Sequence, residues 1–324
     1  MKQSPTETVI TTLTMSPALD LYATTDRLSE DAKTRCIEVA TEPGGGGINV
    51  ARNLHRLGNR VWSIFPGGGD NGDQVEAMLR GESVPCERIP LRKSTRQNLA
   101  LTETTTGRMF HLVFPGTELA ETEWRACQSA VLDVSEQTRY LVLSGSLASG
   151  VPDDFYGQLI TEAAKRAIPV VLDTSGRALK PALAAGVYLA KLNRKELAQL
   201  GYRGDWQHSS QLDMMKKLVE KGMAKLLVVT QGAEGALMVT ASGQMFEARP
   251  PTVSVVNHLG AGDSFVAMML HSLDHGDPEA DALAWGVAGA ASAIGSPGNL
   301  LAGLDRVEAI FSQMERQGTK SVLR

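Results

Sequence analysis

Residues 140–146 read YLVLSGS, an unbroken apolar run that ends in small residues. Three runs of the same kind follow along the chain: IPVVLDTS at 168–175, VYLAKLN at 187–193 and KLLVVTQG at 225–232. Segments with the apolar spacing of helices separate them, the first over Asp153 to Arg166. Apolar strands that alternate with helices are typical of a parallel sheet covered on both faces. The sequence therefore predicts an α/β fold with a mostly parallel sheet.

The N-terminal third has a different pattern. The runs RQNLALTE at 96–103 and MFHLVF at 109–114 flank Thr104–Gly107, which predicts a β-hairpin, and Lys33–Ala40 is predicted to be extended. Because these segments follow the first core strand, predicted at Thr8–Leu13, we expect a small β-sheet inserted as a lid. The lid comprises segments at about 20–43 and 92–115 of a single domain spanning residues 1–324. Since such a sheet leaves one face exposed, we predict a homodimer through the lid.

Composition disfavours several classes of protein. The chain has 324 residues, 43% hydrophobic and 21% charged, and its net charge of −4 disfavours nucleic acid as a partner. Cys36, Cys86 and Cys127 are odd in number and follow no metal-ligand spacing, so we predict reduced thiols. The first residues lack a signal-peptide pattern, and the apolar tract Ala282–Gly295 is too short to span a bilayer. We predict a cytoplasmic protein with no membrane partner.

Residues 43–50 read PGGGGINV, a run of four glycines that leads into a segment with helical spacing. Glycine allows a ligand to approach the backbone closely, and a helix N-terminus presents free amides. The run fits neither the P-loop pattern nor the dinucleotide fingerprint. Gly45, Gly46 and Gly47 are therefore predicted to cradle a ligand, with Asn49 available to bind a hydroxyl group. The alternative is a flexible turn.

A second glycine-rich loop, GAGDSF at 260–265, precedes an apolar segment with helical spacing. Backbone amides of Gly260, Ala261 and Gly262 at a helix start are suited to bind an anion, and the helix dipole reinforces this. Asp263 lies in the predicted first turn, facing whatever the amides bind. The alternative is that Asp263 only caps the helix.

Three basic residues cluster in the predicted lid. Lys33 and Arg35 are two apart, so on a strand they project from one face, and Arg96 lies just before another lid strand. Three cations that converge on one pocket suit a phosphate-bearing substrate, since arginine binds phosphate oxygens through two parallel hydrogen bonds. The alternative is a solvated basic edge that discourages aggregation of the sheet.

Together these motifs resemble the ribokinase-like (phosphofructokinase B) carbohydrate kinases. GGGGIN at 44–49 and GAGDS at 260–264 match the two signatures of that family. The resemblance extends over nearly the whole chain through TMSPALD at 14–20, TRQN at 95–98, SGSLASG at 144–150, KLNRKE at 191–196 and TQGAEG at 230–235. It implies a ribokinase-like three-layer α/β/α sandwich with a small β-sheet lid. It also implies ATP-dependent phosphorylation of a ketohexose phosphate, fructose 6-phosphate first, and a role in glycolysis.

The resemblance assigns a role to each candidate residue. Asp263 would be the general base, and the amides of residues 260–262 would stabilise charge on the transferring phosphoryl group. The sugar hydroxyls would be held by Asp20, Asn49 and the glycine run; the phosphate already on the sugar would face Lys33, Arg35 and Arg96, with Ser144 nearby. ATP would be bordered by Lys191, Asn193, Thr230, Gly232 and Gly235. Asn193 and Glu196, three apart and hence on one helix face, would help to place Mg²⁺ through water.

One departure from the family concerns a monovalent cation. Relatives commonly carry Asp-Thr three residues ahead of GAGD, in a segment that helps to bind such a cation, whereas this chain has Asn257–His258. K⁺ therefore stays an open question beside ATP and Mg²⁺, and His258 is either a substitute contact or structural. Tagatose 6-phosphate and fructose 1-phosphate are alternative acceptors. From another class, the alternative is a weakly catalytic sensor that binds sugar phosphate and nucleotide.

Overall fold

A computed structural model of the chain describes residues 8–37, 39–296, 298–318 and 320–323. The strands are β1 Val9–Leu13, β2 Ala18–Thr25, β3 Val39–Gly44, β4 Val61–Gly67, β5 Cys86–Pro90, β6 Arg96–Glu103, β7 Met109–Leu112, β8 Thr138–Ser144, β9 Val170–Asp173, β10 Val187–Asn193, β11 Ala224–Thr230, β12 Ala236–Thr240, β13 Met245–Ala248 and β14 Lys320–Leu323. The helices are α1 Gly46–Arg56, α2 Gly69–Gly81, α3 Glu121–Asp133, α4 Phe155–Lys165, α5 Leu179–Ala184, α6 Arg194–Gln199, α7 His208–Glu220, α8 Ala261–Asp274, α9 Glu279–Ile294 and α10 Leu304–Arg316. Single 3₁₀ turns lie at Ser135–Gln137, Gly176–Ala178 and Gly232–Glu234.

Ten strands form one large sheet in the order β14-β13-β12-β11-β10-β9-β8-β1-β4-β5. The neighbours from β11 to β5 pair in parallel, and β12, β13 and β14 add an antiparallel edge. Because the parallel strands point the same way, their carboxyl ends meet at one edge, where open α/β sheets bind ligands. The predicted alternation of strands and helices from Tyr140 onward is confirmed.

Two apolar cores lie on opposite faces of the large sheet. In β8, Leu141 and Leu143 pack into one core, and Val142 between them packs into the other. Helices α3, α4, α5 and α7 contribute to the first core, and α1, α2, α8, α9 and α10 to the second. Since both faces of the strands are buried, their sequences are apolar without alternation. The predicted three-layer α/β/α sandwich is confirmed.

The remaining four strands form a small sheet in the order β3-β2-β6-β7. β2 pairs with β3 in antiparallel and with β6 in parallel, and β6 and β7 form the predicted hairpin. Its turn contains Gly107 at a φ of 68°, a conformation that glycine adopts without strain. Alternate residues of a strand share one face of the sheet. In β2, Tyr22 and Thr24 lie on the face that lines a cavity, and Leu21 lies on the opposite face. That this sheet is a lid on a single domain stays a prediction.

Two parts of the N-terminal prediction differ from the structure. The extended stretch expected at Lys33–Ala40 is wrong over most of its length: residues 33–37 lie outside any strand, and residue 38 lies outside the described residues. The strand β3 instead pairs with β2 from Val39, opposite Ala23, to Gly44, opposite Ala18. The strands β4 and β5, which extend the large sheet beyond β1, and the helix α2 between them were not predicted from the sequence.

The three cysteines are free thiols, in agreement with the prediction. Cys127 is buried in the core, and this burial raises the pKa of its thiol to about 12. No helix in the described part of the chain combines the length and apolar character needed to cross a membrane.

Candidate active site

Helix α8 begins at the loop GAGD. Gly260 precedes the helix with a φ of 68°, and a Cβ at this position would lie 1.8 Å from the backbone oxygen of Asn299. Glycine is therefore required by both the backbone conformation and the close packing. The sharp turn leaves the amides of Ala261 and Gly262, in the first turn, without acceptors inside the helix. These amides and the positive end of the helix dipole form a site suited to an anion.

Asp263, in the same turn, is half-buried and accepts a hydrogen bond of 2.8 Å from Nδ2 of Asn49. That bond joins the two glycine-rich motifs. Burial, and then the negative charge of Asp173, raise the pKa of Asp263 to about 7, although Asn49 and Lys191 oppose the shift. A carboxylate with a pKa near neutrality is suited to act as a general base. No side chain caps the start of α8, so Asp263 is not a helix cap.

Lys191 lies against the amides of α8. Its Nζ is 3.0 Å and 2.9 Å from the two carboxylate oxygens of Asp173, and a Cβ on Gly262 would lie 3.0 Å from the same Nζ. Burial lowers the pKa of Lys191, but the charges of Asp173, Glu196 and Asp263 outweigh this effect, so the pKa is raised. The lysine therefore adds a fixed positive charge to the anion site.

Asp173 is a site residue that the sequence analysis missed. It is the last residue of β9 and lies beside β10, which carries Lys191. The signal was present, because an acidic residue directly follows the buried run VVL at the carboxyl end of a parallel strand. Its carboxylate holds Lys191 in place and contributes to the raised pKa of Asp263.

A cavity of 610 Å³ opens beside these groups. Its lining includes every residue predicted to border ATP, namely Lys191, Asn193, Thr230, Gly232 and Gly235. Ala261 and Gly262 line its inner end, and Val253, Phe265 and Val287 are among the apolar residues of its wall. The cavity thus combines a cationic, amide-rich end with an apolar wall. Such a lining suits a ligand with an anionic end and a flat apolar end.

Asn193 and Glu196 form a reciprocal capping pair at the start of α6. Oδ1 of Asn193 accepts a 3.0 Å hydrogen bond from the amide of Glu196, and Oε2 of Glu196 accepts a 2.8 Å bond from the amide of Asn193. The expectation that both lie on one helix face is wrong, because Asn193 ends β10 and precedes the helix. Burial and the charge of Asp173 raise the pKa of Glu196. Within the described residues, no group of three His, Cys, Asp or Glu side chains forms a metal cluster.

The glycine run leads into α1 between two polar side chains. A Cβ on Gly44 would lie 2.1 Å from Oδ2 of Asp20, and one on Gly46 would lie 2.3 Å from Oγ of Ser144. Gly45 has a φ of 122°, a backbone conformation that other residues rarely adopt. The backbone of the run therefore packs closely against Asp20 and Ser144. The run is not a flexible turn.

Two polar atoms on this side of the cleft have no hydrogen-bond partner among the described residues. They are the buried Nε of Arg96 and Oγ of Ser144. The other nitrogens of Arg96 donate to the backbone oxygens of Ser16 and Phe114, at 3.0 Å and 3.1 Å. Burial lowers the pKa of Arg96, and Asp20 partly restores it. Because buried polar atoms are nearly always paired, these two atoms are available to a polar ligand.

Asp20 lies on β2 and accepts a 2.8 Å hydrogen bond from Nδ2 of Asn98 on β6. Its pKa is raised, chiefly by burial, although Asn98, His111 and Arg96 oppose the shift. By contrast, Lys33 and Arg35 are exposed and belong to no strand, so the argument that they share a strand face is wrong. Neither of them lines the 610 Å³ cavity or the second cavity described next.

That second cavity, of 440 Å³, lies between the small sheet and the loop that precedes α8. Tyr22, Glu42 and Thr102 line it from the sheet, and Asn257 and Leu259 line it from the loop. None of the residues predicted to bind substrate is part of this lining. Of the predicted sugar residues, Asn49 instead contacts Asp263, and the charge of Asp20 contributes to the raised pKa of Asp263.

The loop before α8 differs from the family pattern at Asn257 and His258. The buried Asn257 donates through Nδ2 to the backbone oxygens of Ser296 and Gly298, the latter at 3.0 Å, and accepts from the amide of Leu259. His258 is exposed and lines the 610 Å³ cavity. Asn257 therefore ties the loop to the segment after α9.

The fold and site together define a class of protein. The profile of the pfkB family carbohydrate kinases matches residues 9–302, and the chain belongs to this family. The predicted resemblance is confirmed.

Individual relatives are more specific. The chain is 37% identical over 308 residues to the ATP-dependent 6-phosphofructokinase isozyme 2 of Escherichia coli (strain K12), which covers 95% of this chain and 99% of that protein. It is 33% identical over 268 residues to the 1-phosphofructokinase of Xanthomonas campestris pv. campestris, covering 81% and 83%. The crystal structure of phosphofructokinase-2 from Escherichia coli in complex with potassium has a TM-score of 0.90 at 36% identity, covering 95% of this chain and 100% of that one. The ribokinase-like fold is thereby confirmed.

Proposed function

We propose that this chain transfers the γ-phosphoryl group of ATP to fructose 6-phosphate and forms fructose 1,6-bisphosphate. The observation that carries the proposal is Asp263, a half-buried carboxylate with a pKa of about 7 beside the amides of α8 and the ammonium group of Lys191. The 37% identity to a 6-phosphofructokinase supports fructose 6-phosphate ahead of tagatose 6-phosphate and fructose 1-phosphate. This activity would place the protein in glycolysis.

In the proposed reaction, Asp263 accepts the proton of the acceptor hydroxyl while the hydroxyl oxygen attacks the γ-phosphorus. The bond to the β-phosphate oxygen breaks, and ADP leaves. Negative charge on the transferring group would be stabilised by the amides of residues 260–262 and by Lys191, which lies against them. Phosphoryl transfer depends mainly on positioning and electrostatic stabilisation, and this site supplies fixed groups for both.

The 610 Å³ cavity would hold ATP. Its phosphates would lie near Lys191 and Gly262, and its base would lie against the apolar wall that includes Val253 and Val287. Thr230, Gly232 and Gly235 also line the cavity, and so does His258, which is exposed to solvent.

Kinases of this family imply a divalent metal, and we propose Mg²⁺ near Asn193 and Glu196. Both side chains already bind each other's backbone amide, so they would hold the ion through water. The raised pKa of Glu196, which comes from burial and from Asp173, indicates carboxylates that a nearby cation would stabilise. When bound, the ion would neutralise phosphate charge.

On the sugar side, Asp20 and Asn49 would bind hydroxyl groups beside the glycine run. The phosphate of the sugar would satisfy the unpartnered Nε of Arg96 and Oγ of Ser144. Lys33 and Arg35 would reach the same phosphate from their exposed segment, and movement of the small sheet would bring them to it.

We also propose that turnover does not require K⁺. The amide group of Asn257 donates to two backbone oxygens, of Ser296 and Gly298, that would otherwise be open to a cation. An amide donor and a cation compete for the same carbonyl oxygens, so these residues do not fit a cation between those oxygens.

A homodimer through the outer face of the small sheet is proposed as well. By register, Leu21, Leu99 and Leu112 form a row on this face, opposite the one that lines the 440 Å³ cavity. Leu112 is 48% exposed, and Val39 on the same face is 62% exposed. Exposed apolar side chains at both edge strands of one sheet face favour a protein partner.

The function is tested with purified protein, Mg-ATP and a panel of acceptors, with ADP release as the readout. The panel contains fructose 6-phosphate, tagatose 6-phosphate, fructose 1-phosphate and fructose. We expect the highest kcat/KM for fructose 6-phosphate and the lowest for fructose, which lacks the phosphate that Arg96 would bind. If no acceptor stimulates ADP release, the kinase proposal fails and the sensor alternative replaces it.

A further inference from the structure

A series of hydrogen bonds runs from a buried arginine to Asp263. Arg52 lies three residues after Asn49 on α1 and is 3% exposed. Its Nη1 lies 3.0 Å from Oδ1 of Asn299. Nδ2 of Asn299 lies 3.2 Å from Oδ1 of Asn49, and Nδ2 of Asn49 lies 2.8 Å from Oδ2 of Asp263. Two amide side chains thus connect a permanent cation to the proposed base.

The chemistry of these groups fixes the direction of every bond. Arginine carries only donors, so Asn299 must turn its oxygen toward Arg52 and its NH₂ group toward Asn49. Asn49 then accepts through its oxygen and turns its own NH₂ group toward Asp263. An ionised Asp263 only accepts and by itself favours the NH₂ end of Asn49, whereas a protonated Asp263 can also donate to the oxygen end. Asn299 occupies that oxygen and so keeps the NH₂ group of Asn49 toward Asp263 in both protonation states. Arg52 fixes the orientation of Asn299 in turn.

Arg52 is itself held firmly. Its Nε and Nη2 bind the two carboxylate oxygens of Glu82 at 2.8 Å and 2.5 Å. Nη1 also contacts the backbone oxygen of Pro43 at 3.2 Å and a carboxylate oxygen of Glu42 at 3.4 Å. A guanidinium group with this many acceptors has one orientation available. The first member of the series is therefore fixed, although it lies outside the cleft that ATP and sugar would occupy.

We propose that Arg52 and Asn299 are positioning residues that fix the amide of Asn49 as a hydrogen-bond donor to Asp263. The proposal rests on the proposed function, in which Asp263 is the base. A donor at 2.8 Å stabilises the ionised carboxylate and holds its oxygens in one orientation. Loss of the donor leaves Asp263 with its burial and the charges of Asp173 and Asp20, which favour protonation, and Lys191, which opposes it.

The test uses Asn299→Leu, which removes the amide without adding charge, and Asn299→Ser as a smaller second variant. In both, we expect the acid limb of kcat/KM for fructose 6-phosphate to move up by about one pH unit, the effect of losing one strong hydrogen bond to a carboxylate. Below that limb, a shift of one unit lowers kcat/KM about tenfold, and at alkaline pH the loss disappears. The KM for ATP is expected to stay unchanged.

Asn53 supplies the matched control. It is also a buried asparagine on α1, and it contacts α8 through Oγ of Ser264 and the loop between α9 and α10 through the amide of Leu301, without contacting Asp263. Asn53→Leu is expected to lower stability and to leave the acid limb in place. If the Asn299 variants fold and keep the wild-type limb, the proposal is overturned. The same holds if Asn53→Leu shifts the limb equally.

A second readout separates this proposal from the proposed function. The carboxyl ¹³C resonance of Asp263, followed against pH in wild type and Asn299→Leu, reports the titration without any turnover. A higher midpoint in the variant supports the positioning role even if no acceptor is phosphorylated, in which case only the function fails. Normal kinase activity in the wild type with identical midpoints overturns the positioning role alone.

Discussion

At the scale of single residues, the reactivity of Asp263 comes from its surroundings. An aspartate in water is fully ionised at neutral pH and is a poor base. Burial and the charge of Asp173 raise its pKa to about 7, while Asn49 and Lys191 limit the shift. The residue is thus basic enough to accept a proton and still ionised in a large fraction of molecules.

Replacing this carboxylate would remove the proposed base and little else. Asp263→Asn is expected to lower kcat about 10² to 10⁴-fold, the usual contribution of a general base, and to leave the Kd for fructose 6-phosphate nearly unchanged. Stopped assays for ADP and calorimetric titration with the sugar phosphate give the two quantities. Asp305→Asn is the control, because Asp305 also lies in the first turn of a helix, exposed on α10. Comparable turnover in Asp263→Asn and wild type would remove Asp263 from its role.

The pH dependence of kcat/KM follows from the same pKa. The base acts only when ionised, so activity falls as pH drops through about 7 and reaches a plateau above it. The sugar phosphate titrates near pH 6, and ³¹P spectra of the free substrate identify that separate transition. An acid limb that coincides with the substrate transition, with no second one near 7, would contradict the environment described for Asp263.

Arg96 is expected to recognise the phosphate on the acceptor. Arg96→Ala should raise the KM for fructose 6-phosphate about 10- to 100-fold, since one charge-assisted contact is worth about 1.5–3 kcal/mol, with a smaller change in kcat. Arg92→Ala is the control, because Arg92 lies between β5 and β6, four residues ahead of Arg96 at the start of β6. Steady-state kinetics with fructose should show no KM change in either variant. A KM for fructose 6-phosphate equal to that of wild type would show that Arg96 does not bind the phosphate.

Local sequence motifs reveal some of the candidate site residues and not others. Asp263 and Lys191 were found because they lie in short motifs at the start of a helix and in a buried strand. Asp173 was missed although its position after an apolar run was a signal. Asn299 and Arg52 carry no such signal, because their role depends on contacts between segments that are 247 residues apart in sequence.

At the scale of elements, α1 and α8 start beside each other and bring the two glycine motifs together. Asn49 lies in the first turns of α1 and Asp263 in the first turn of α8, and Asn53 joins the helices again through Ser264. Both helices begin where glycine permits a backbone that a Cβ would obstruct, at Gly45 and Gly260. The candidate active site is thus assembled from two helix starts rather than from one loop.

The loop before α8 yields a prediction about cations. Replacement of K⁺ by Na⁺ is expected to leave kcat unchanged, because the amide of Asn257 already donates to the oxygens of Ser296 and Gly298. Asn257→Asp should make turnover dependent on K⁺, since a carboxylate cannot donate and three groups of oxygens would then face one another. Initial rates at constant ionic strength measure both effects. Strong K⁺ activation of the wild type would show that a cation binds despite Asn257.

The elements that were predicted correctly are those whose pattern reflects their own burial. The strands β8 to β11 are apolar on both faces and bounded by helices, so the length of their unbroken apolar runs identifies them as strands. The extent of β3 is set by its pairing with β2, which the alternation of polar and apolar residues in Lys33–Ala40 does not reveal. β4 was missed although it is buried throughout, because its run ends in proline and glycine, which are typical of turns.

In the whole molecule, the small sheet has two faces with different surroundings. One face lines the 440 Å³ cavity, and the other exposes Val39 and Leu112. Sedimentation of the wild type is expected to give a dimer, and Leu112→Glu should shift it toward monomer, because the charge would be buried in the interface. Leu304→Glu, at an exposed leucine on α10, is the control. A wild-type monomer at all concentrations would contradict the proposed dimer.

In the proposed reaction, the γ-phosphoryl group of ATP passes to a hydroxyl of fructose 6-phosphate. Mixing enzyme, Mg-ATP and fructose 6-phosphate and measuring ADP and fructose 1,6-bisphosphate in the same samples by ³¹P NMR follows this transfer. We expect equal amounts of the two products with the wild type and neither product with Asp263→Asn on the same timescale. ADP without the bisphosphate, or a bisphosphate formed equally fast by the variant, would contradict the proposed reaction.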